Sequence, residues 1–311
     1  MSLNSKDTSP ARRLTLAEGL SVDRLGYGAM QLPGPGVWGP PADRERALTV
    51  LRRAVELGVD HIDTSDFYGP HVANELIREA LHPYPEDLLI ATKVGVERDE
   101  WRAWNAAASP DALREQVDDN LTRLGKARLD LVYLRTGGDG LLFPDESTSF
   151  ADSFRTLAEL RERGLIRHLG VSGVTVEQLA QARDIAPLVA VQNRYHLLDR
   201  GSADVLRYCE EHGIAFVPYF PLSAGALRAD LDPSQVPPGF GPSEIQVKTL
   251  DAVAARTQAT RAQVALAWLL AHSPVTLVIA GTSSPVHLAE NLDAGRIELS
   301  AEDLAELDGL V

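Results

Sequence analysis

The chain has 311 residues, 44% hydrophobic and 24% charged, enough to bury a large core without a metal or disulfide staple. Its single cysteine, Cys209, excludes an intramolecular disulfide and a cysteine-rich metal site. With 30 basic and 44 acidic residues the formal charge is −14, which argues against nucleic-acid and anionic-membrane partners, and no apolar run reaches the ~18 residues of a transmembrane span.

The opening MSLNSKDTSPARR is polar and has no signal-peptide hydrophobic stretch. Residues 1–11 are therefore expected to form a disordered tail, residues 12–311 a single domain, and the cytoplasm is the expected compartment. LTLA and LSVDRL read as a hairpin. Eight short apolar runs follow: RLGYGAM (24–30), VDHIDTS (59–65), DLLIATKVG (87–95), LDLVYLR (129–135), IRHLGVS (166–172), LVAVQN (188–193), IAFVPYF (214–220) and VTLVIAG (275–281). Between them lie helical patterns such as DRERALTVLRRAVELG, HVANELIREAL, SPDALREQVDDNLTRLG and DSFRTLAELRERG, several opening on Asp or Ser and closing on Gly. The stretch 221–243, rich in Pro, Gly and Ser, is a candidate loop over a ligand, and TRAQVALAWLLAH predicts an extra helix before the last run.

Apolar strands alternating with helices mean a parallel sheet covered by those helices, and eight such units mean closure. The predicted fold is α/β: a single (β/α)8 TIM barrel with an N-terminal β-hairpin capping its floor and extra C-terminal helices.

A barrel of this kind carries its site at the C-terminal ends of the strands. Those ends hold few polar residues: Asp63 near the end of the second run and Tyr68 after it, Lys93 in the third, Arg135 ending the fourth, Ser172 the fifth, Gln192 near the end of the sixth, Tyr219 in the seventh, and Gly281 ending the eighth with Thr282, Ser283 and Ser284 after it. Lys93 is the most informative. It sits inside an apolar strand, LLIATKVG, where a charged head must be paired or desolvated, and Asp63 is the natural partner. A tyrosine hydroxyl beside that lysine makes a proton donor for an alkoxide forming from a carbonyl. The alternative is a buried structural Lys–Asp pair with an incidental tyrosine.

HIDTSDFYG, IATKVG, HLGVSG, VQN and IAGTSSPVHLAEN occur in the order seen in aldo-keto reductases, and the chain resembles that family from about residue 12 to its end. LGYGAMQLPGPGVWGPP and HIDTSDFYGPHVANELIREALHPY resemble, more narrowly, its pyridoxal reductase branch. The resemblance implies an NADP(H)-dependent oxidoreductase, with NAD(H) as the alternative cofactor. It implies Tyr68 as general acid, assisted by Asp63 and Lys93; Ser172 and Gln192 on the nicotinamide carboxamide; and Tyr219 stacked on the ring. Leu222, Ser223 and Gly225 would follow the pyrophosphate. Gly281, Thr282, Ser283 and Ser284 would surround the adenosine phosphate, and Glu290 and Asn291 the adenine. Gly28 and Met30 are expected to let the backbone approach the nicotinamide ribose, although GYG at 26–28 is not itself a dinucleotide fingerprint.

Three positions depart from the family pattern. Arg135 stands where a histidine is usual; arginine cannot shuttle a proton but can hold a carbonyl oxygen or act as a second cation beside Tyr68, unless it turns away into a salt bridge. Gly173 stands where many relatives have Asn. His287 stands where Arg often meets the adenosine 2′-phosphate, and a histidine carries only partial charge near neutrality.

Trp38, Trp101 and Trp104 lie on loops where a substrate pocket would form, and each is expected either to line it or to cover a neighbouring loop. His61, two residues before Asp63, is a weak metal-hydrolase signal without a second histidine cluster, so no metal is expected. The leading expectation is reduction of an aldehyde, pyridoxal to pyridoxine. The rivals are another aldehyde, ketone or sugar as substrate, or a non-catalytic NADP(H)-binding sensor module. The partner is a small carbonyl compound; oligomeric state is not legible here.

Overall fold

The computed structural model describes residues 12–137, 142, 148–227, 236 and 241–311; the expected tail at 1–11, and 228–235 and 237–240 of the candidate loop, lie outside them. An antiparallel hairpin, β1 (Arg13–Ala17) and β2 (Leu20–Asp23), comes first. The first barrel units follow as β3 (Leu25–Gly28), α1 (Arg44–Glu56), β4 (His61–Asp63), α2 (Val72–Leu81) and β5 (Leu89–Val94). A second hairpin, β6 (Val96–Arg98) and β7 (Trp104–Ala106), then precedes α3 (Pro110–Leu124), β8 (Leu129–Arg135) and α4 (Phe150–Glu162). β9 (Ile166–Ser172), α5 (Val176–Ile185), β10 (Ala190–Arg194), α6 (Ala203–His212) and β11 (Ala215–Tyr219) continue the alternation. The chain ends with α7 (Glu244–Thr257), α8 (Arg261–His272), β12 (Val278–Ile279), α9 (Pro285–Asp293) and α10 (Ala301–Asp308).

The main sheet runs β11-β10-β9-β8-β5-β4-β3-β12, every pair parallel. It closes where Phe216 N–H donates to the Val275 carbonyl and Leu277 N–H to the Phe216 carbonyl, each bond 2.8–2.9 Å long. All eight predicted runs contain a barrel strand, and the predicted hairpin and extra helices are present. The second hairpin was not anticipated, because three-residue strands carry too little alternation to stand out from a loop.

Strand residues alternate between two environments. In β5, Ile90 and Val94 face the helices, while Leu89, Ala91 and Lys93 face the barrel interior. The interior is filled by fitting large residues against small ones. A Cβ on Gly170 would lie 2.5 Å from the Tyr133 ring, and one on Gly26 would lie 2.7 Å from His61 Nδ1. The floor is sealed by Leu16 and Val22 of the first hairpin, packed with interior residues such as Leu131 and Val217. Arg13 Nη1 pairs with Asp60 at 2.9 Å and holds the hairpin there.

Helix starts follow their caps. Asp43 and Ser109 accept from the Arg46 and Ala112 N–H groups, and reciprocal capping boxes open α5, α7, α8 and α10. Among the described residues no helix is long and apolar enough to cross a membrane.

Candidate active site

Parallel register brings the predicted residues to one level. Arg135 of β8 pairs with Ser172 of β9, which pairs with Gln192 of β10. On the other side of the mouth Gly28 pairs with Asp63. A cavity of about 810 Å³ opens above this level.

At its base Lys93 Nζ lies 2.5 Å from Asp63 Oδ1 and donates to the Thr64 carbonyl at 3.0 Å, with both charged side chains buried. The second Asp63 oxygen accepts from Gln192 Nε2 at 2.8 Å. The carboxylate is thus satisfied on both sides, as burial of a charge requires. Lys93 Nζ also sits 5.0 Å from the centre of the Tyr68 ring. Burial opposes the Lys93 charge, yet Asp63 and Tyr68 outweigh it and hold its pKa above the ordinary lysine value. For Tyr68, burial is the largest influence and raises the pKa; Lys93 and Arg135 pull it down, less strongly. The hydroxyl therefore keeps its proton at neutral pH beside a fixed cation, which suits an acid rather than a phenolate.

Tyr68 lies on the loop between β4 and α2, and a buried amide network anchors that loop. Thr64 Oγ1 donates to Asn74 Oδ1 at 2.9 Å, Asn74 Nδ2 to Asn120 Oδ1 at 3.0 Å, and Thr92 Oγ1 to the same oxygen at 2.6 Å. Such a network, fully partnered, specifies one conformation. In the sequence its one trace is an asparagine on the apolar face of each of HVANELIREAL and SPDALREQVDDNLTRLG.

Around the cavity, Gly28, Met30, Ser172, Gln192, Tyr219, Leu222 and Gly225 line the part near Tyr68 and the strand ends. Gly281, Thr282, Ser283, Ser284, His287, Glu290 and Asn291 line the part near α9. Ser223 is buried beside Leu222 and does not line it. The chain there is held tightly: Phe220, Ser223 and Ala224 all take left-handed backbone angles, φ 51–57°, which cost energy without a glycine. The Arg135 guanidinium faces the cavity, 5.4 Å from the centre of the Tyr219 ring.

The three loop tryptophans separate. Trp104 lines the cavity and packs edge-on to Phe67, which packs edge-on to Tyr68. Trp38 and Trp101 do not line it, contrary to the pocket role considered for them. Trp101 is 79% exposed, and Trp38 instead stacks with Arg98, whose guanidinium lies 3.9 Å from the centre of Trp104. The loop position of each tryptophan is legible in sequence; the direction of its ring is not.

His61 is buried inside the barrel below Asp63, with both ring nitrogens unpartnered and its pKa pushed down to about 4 by burial. Among the described residues no group of three or more His, Cys, Asp or Glu could hold a metal. A nicotinamide group, by contrast, meets matching chemistry: the Ser172 hydroxyl is buried, lines the cavity and has no hydrogen-bond partner. Phe67, Val96, Leu142 and Arg46 also line the cavity, and no local sequence pattern marks them for it.

The aldo/keto reductase family's sequence profile matches residues 24–311. Pyridoxine 4-dehydrogenase of Escherichia coli (strain K12) is 51% identical over 291 residues, covering 93% of this chain and 95% of that protein. Among solved structures, an aldo/keto reductase from Klebsiella pneumoniae in complex with NADP and acetate is 26% identical, with a TM-score of 0.76 over 96% of this chain and 95% of that one. A glycerol dehydrogenase from Gluconobacter oxydans, 24% identical, shares the fold with a TM-score of 0.83 over 96% and 95% of the two chains. With a closed barrel, a buried Tyr–Lys–Asp group at its mouth and a profile match across nearly its whole length, the chain belongs to the aldo/keto reductase family of oxidoreductases.

Proposed function

We propose that this oxidoreductase is an NADPH-dependent carbonyl reductase whose leading substrate is pyridoxal, reduced to pyridoxine, with Tyr68 as the general acid. One observation carries the chemistry: Tyr68 is buried at the base of the cavity against a lysine that is itself pinned by Asp63. The likeness to a pyridoxine 4-dehydrogenase supports the substrate. So does the wall next to Tyr68, where Phe67, Trp104 and Val96 suit a flat aromatic ring and Arg135 is the cation beside them.

NADPH, when bound, supplies the hydride. Ser172 and Gln192 would hold its carboxamide and Tyr219 would stack on its ring, while Gly28 and Met30 would lie along the ribose. Leu222 and Gly225 would follow the pyrophosphate, and the buried Ser223 would hold the bend between them. Gly281, Thr282, Ser283, Ser284 and His287 would surround the adenosine phosphate, and Glu290 and Asn291 the adenine. Tyr68 donates its proton to the carbonyl oxygen as negative charge develops there, and Lys93 stabilises the tyrosine that has given it up. Arg135 holds the same oxygen or a neighbouring anionic group on the ring; it gives no proton, because a guanidinium does not deprotonate at working pH. Phe67 and Trp104 exclude water from one side of the substrate.

The test is NADPH oxidation with pyridoxal, repeated with NADH and with a benzaldehyde lacking ring heteroatoms. The expected result is a kcat/KM for pyridoxal at least tenfold above that for benzaldehyde, lost by about 10²-fold or more in Tyr68→Phe with cofactor affinity unchanged. Turnover of benzaldehyde but not pyridoxal would discard the substrate; full activity in Tyr68→Phe would discard the acid.

A further inference from the structure

We propose that Arg46, on the first turn of α1, determines preference for NADP(H) over NAD(H) by supplying the cation for the phosphate on the adenosine ribose; this rests on the reading that the cavity holds that cofactor.

The two cofactors differ by that one phosphate, at the end of the molecule remote from the nicotinamide. The cavity has two ends of different character. Asp63, Tyr68 and Lys93 mark the reacting end, and Ser283, Ser284 and His287 mark the other. Arg46 borders the second end, although it lies 237 residues from Ser283 in sequence. Packing of α1 against α9 brings them together.

The Arg46 side chain is held there by one bond. Its Nε donates to the Ser283 carbonyl at 2.9 Å. This fixes the plane of the guanidinium and leaves the N–H groups on Nη1 and Nη2 for an incoming anion. Two further observations make it distinctive. Among the described residues no carboxylate pairs with Arg46, whereas Arg44 on the same turn pairs with Glu79 and Arg53 further along pairs with Glu56. In a chain of net charge −14, a cation held at the cavity edge by a neutral carbonyl keeps its full charge for a ligand. The anion would also face the start of α9, where Ser284 Oγ accepts from the His287 N–H and the helix end is electropositive.

A guanidinium with two outward N–H edges matches a phosphate better than an ammonium or imidazole does. Arg46 therefore supplies, from a different helix, a guanidinium beside the histidine at position 287. No sequence motif connects the two segments, so the juxtaposition is visible only in the folded chain.

The experiment is calorimetric binding of 2′,5′-ADP and of 5′-AMP, which differ in the 2′-phosphate, to the wild type, Arg46→Gln and Arg46→Lys. Steady-state kinetics with NADPH and NADH on one aldehyde accompany it. Arg46→Gln is expected to weaken 2′,5′-ADP about tenfold or more, to leave 5′-AMP within twofold, and to lower kcat/KM for NADPH but not for NADH. Arg46→Lys should fall between. If the wild type prefers 2′,5′-ADP and Arg46→Gln keeps that preference, the role of Arg46 is overturned while the NADP reading stands. If the wild type binds both nucleotides equally, both fall together.

Discussion

Gly173 is the residue that makes room for Arg135. It follows Ser172 at the end of β9 with φ +69°, and a Cβ built there would collide with Nη1 of Arg135, 3.0 Å from its Cζ and 2.7 Å from the Thr136 carbonyl oxygen. The two positions at which the chain departs from the pattern it resembles, Arg135 and Gly173, therefore meet in one place. A longer side chain at 173 would occupy the space the guanidinium fills.

Gly173→Ala is expected to push Arg135 off its place above Tyr219 and lower kcat/KM for the carbonyl substrate about tenfold. In an Arg135→Ala background the same change should cost less, the remainder coming from the Thr136 carbonyl and the positive φ. The check is a double-mutant cycle on kcat/KM, supplemented by cofactor affinity, which a general loss of structure would also reduce. Additive losses would mean that the two residues act independently.

Lys93→Met leaves the Asp63 carboxylate buried with Gln192 as its remaining side-chain donor. Removing one partner of a buried pair costs about 3–5 kcal/mol, and Gln192 keeps the expected loss near the lower end. Thermal unfolding should show a fall in Tm on the order of 5–10 °C. Lys93→Met combined with Asp63→Leu should recover much of that stability but none of the turnover, because the cation beside Tyr68 is gone.

Acid should destabilise the barrel through its buried histidines. Burial lowers the His61 pKa from an ordinary 6.5 to about 4, so the unfolded chain takes up a proton that the folded one refuses. A depressed pKa of this kind contributes stability that is complete above pH 6.5 and is lost as pH falls towards 4, by about 3 kcal/mol in all. His196, also pushed down to about 4 by burial, acts in the same direction. Tm measured at pH 7 and pH 5 should fall clearly in the wild type and by a smaller amount in His61→Asn. An equal fall in both would show that His61 is not the group responsible.

Trp101→Ala should leave kinetics within about twofold, since the ring is 79% exposed and does not line the cavity. Trp104→Ala should raise KM for an aromatic aldehyde several-fold, because it removes the stack on Arg98 and the edge contact with Phe67. A small aliphatic aldehyde, measured alongside, should be affected less. Equal effects of the two substitutions would contradict the wall assigned to Trp104.

Much of this protein was legible in one dimension. Eight apolar runs separated by capped helical patterns determine the strand–helix alternation, because side-chain periodicity and cap chemistry act within a few residues. A lysine in an apolar strand identifies a buried charge, and the placing of polar residues at strand ends points to the candidate site. What the sequence could not carry is contact between segments remote in the chain. Gln192 donating to Asp63 across 129 residues, Arg46 held by Ser283 across 237, and Arg135 seated in the space left by Gly173 all depend on strand register and barrel closure. The exposure of Trp101 and the inward turn of Trp104 likewise depend on a hairpin too short to announce itself. Local patterns determine which elements form; only closing them around one another decides which side chains meet, since each meeting is a property of the whole ring of strands.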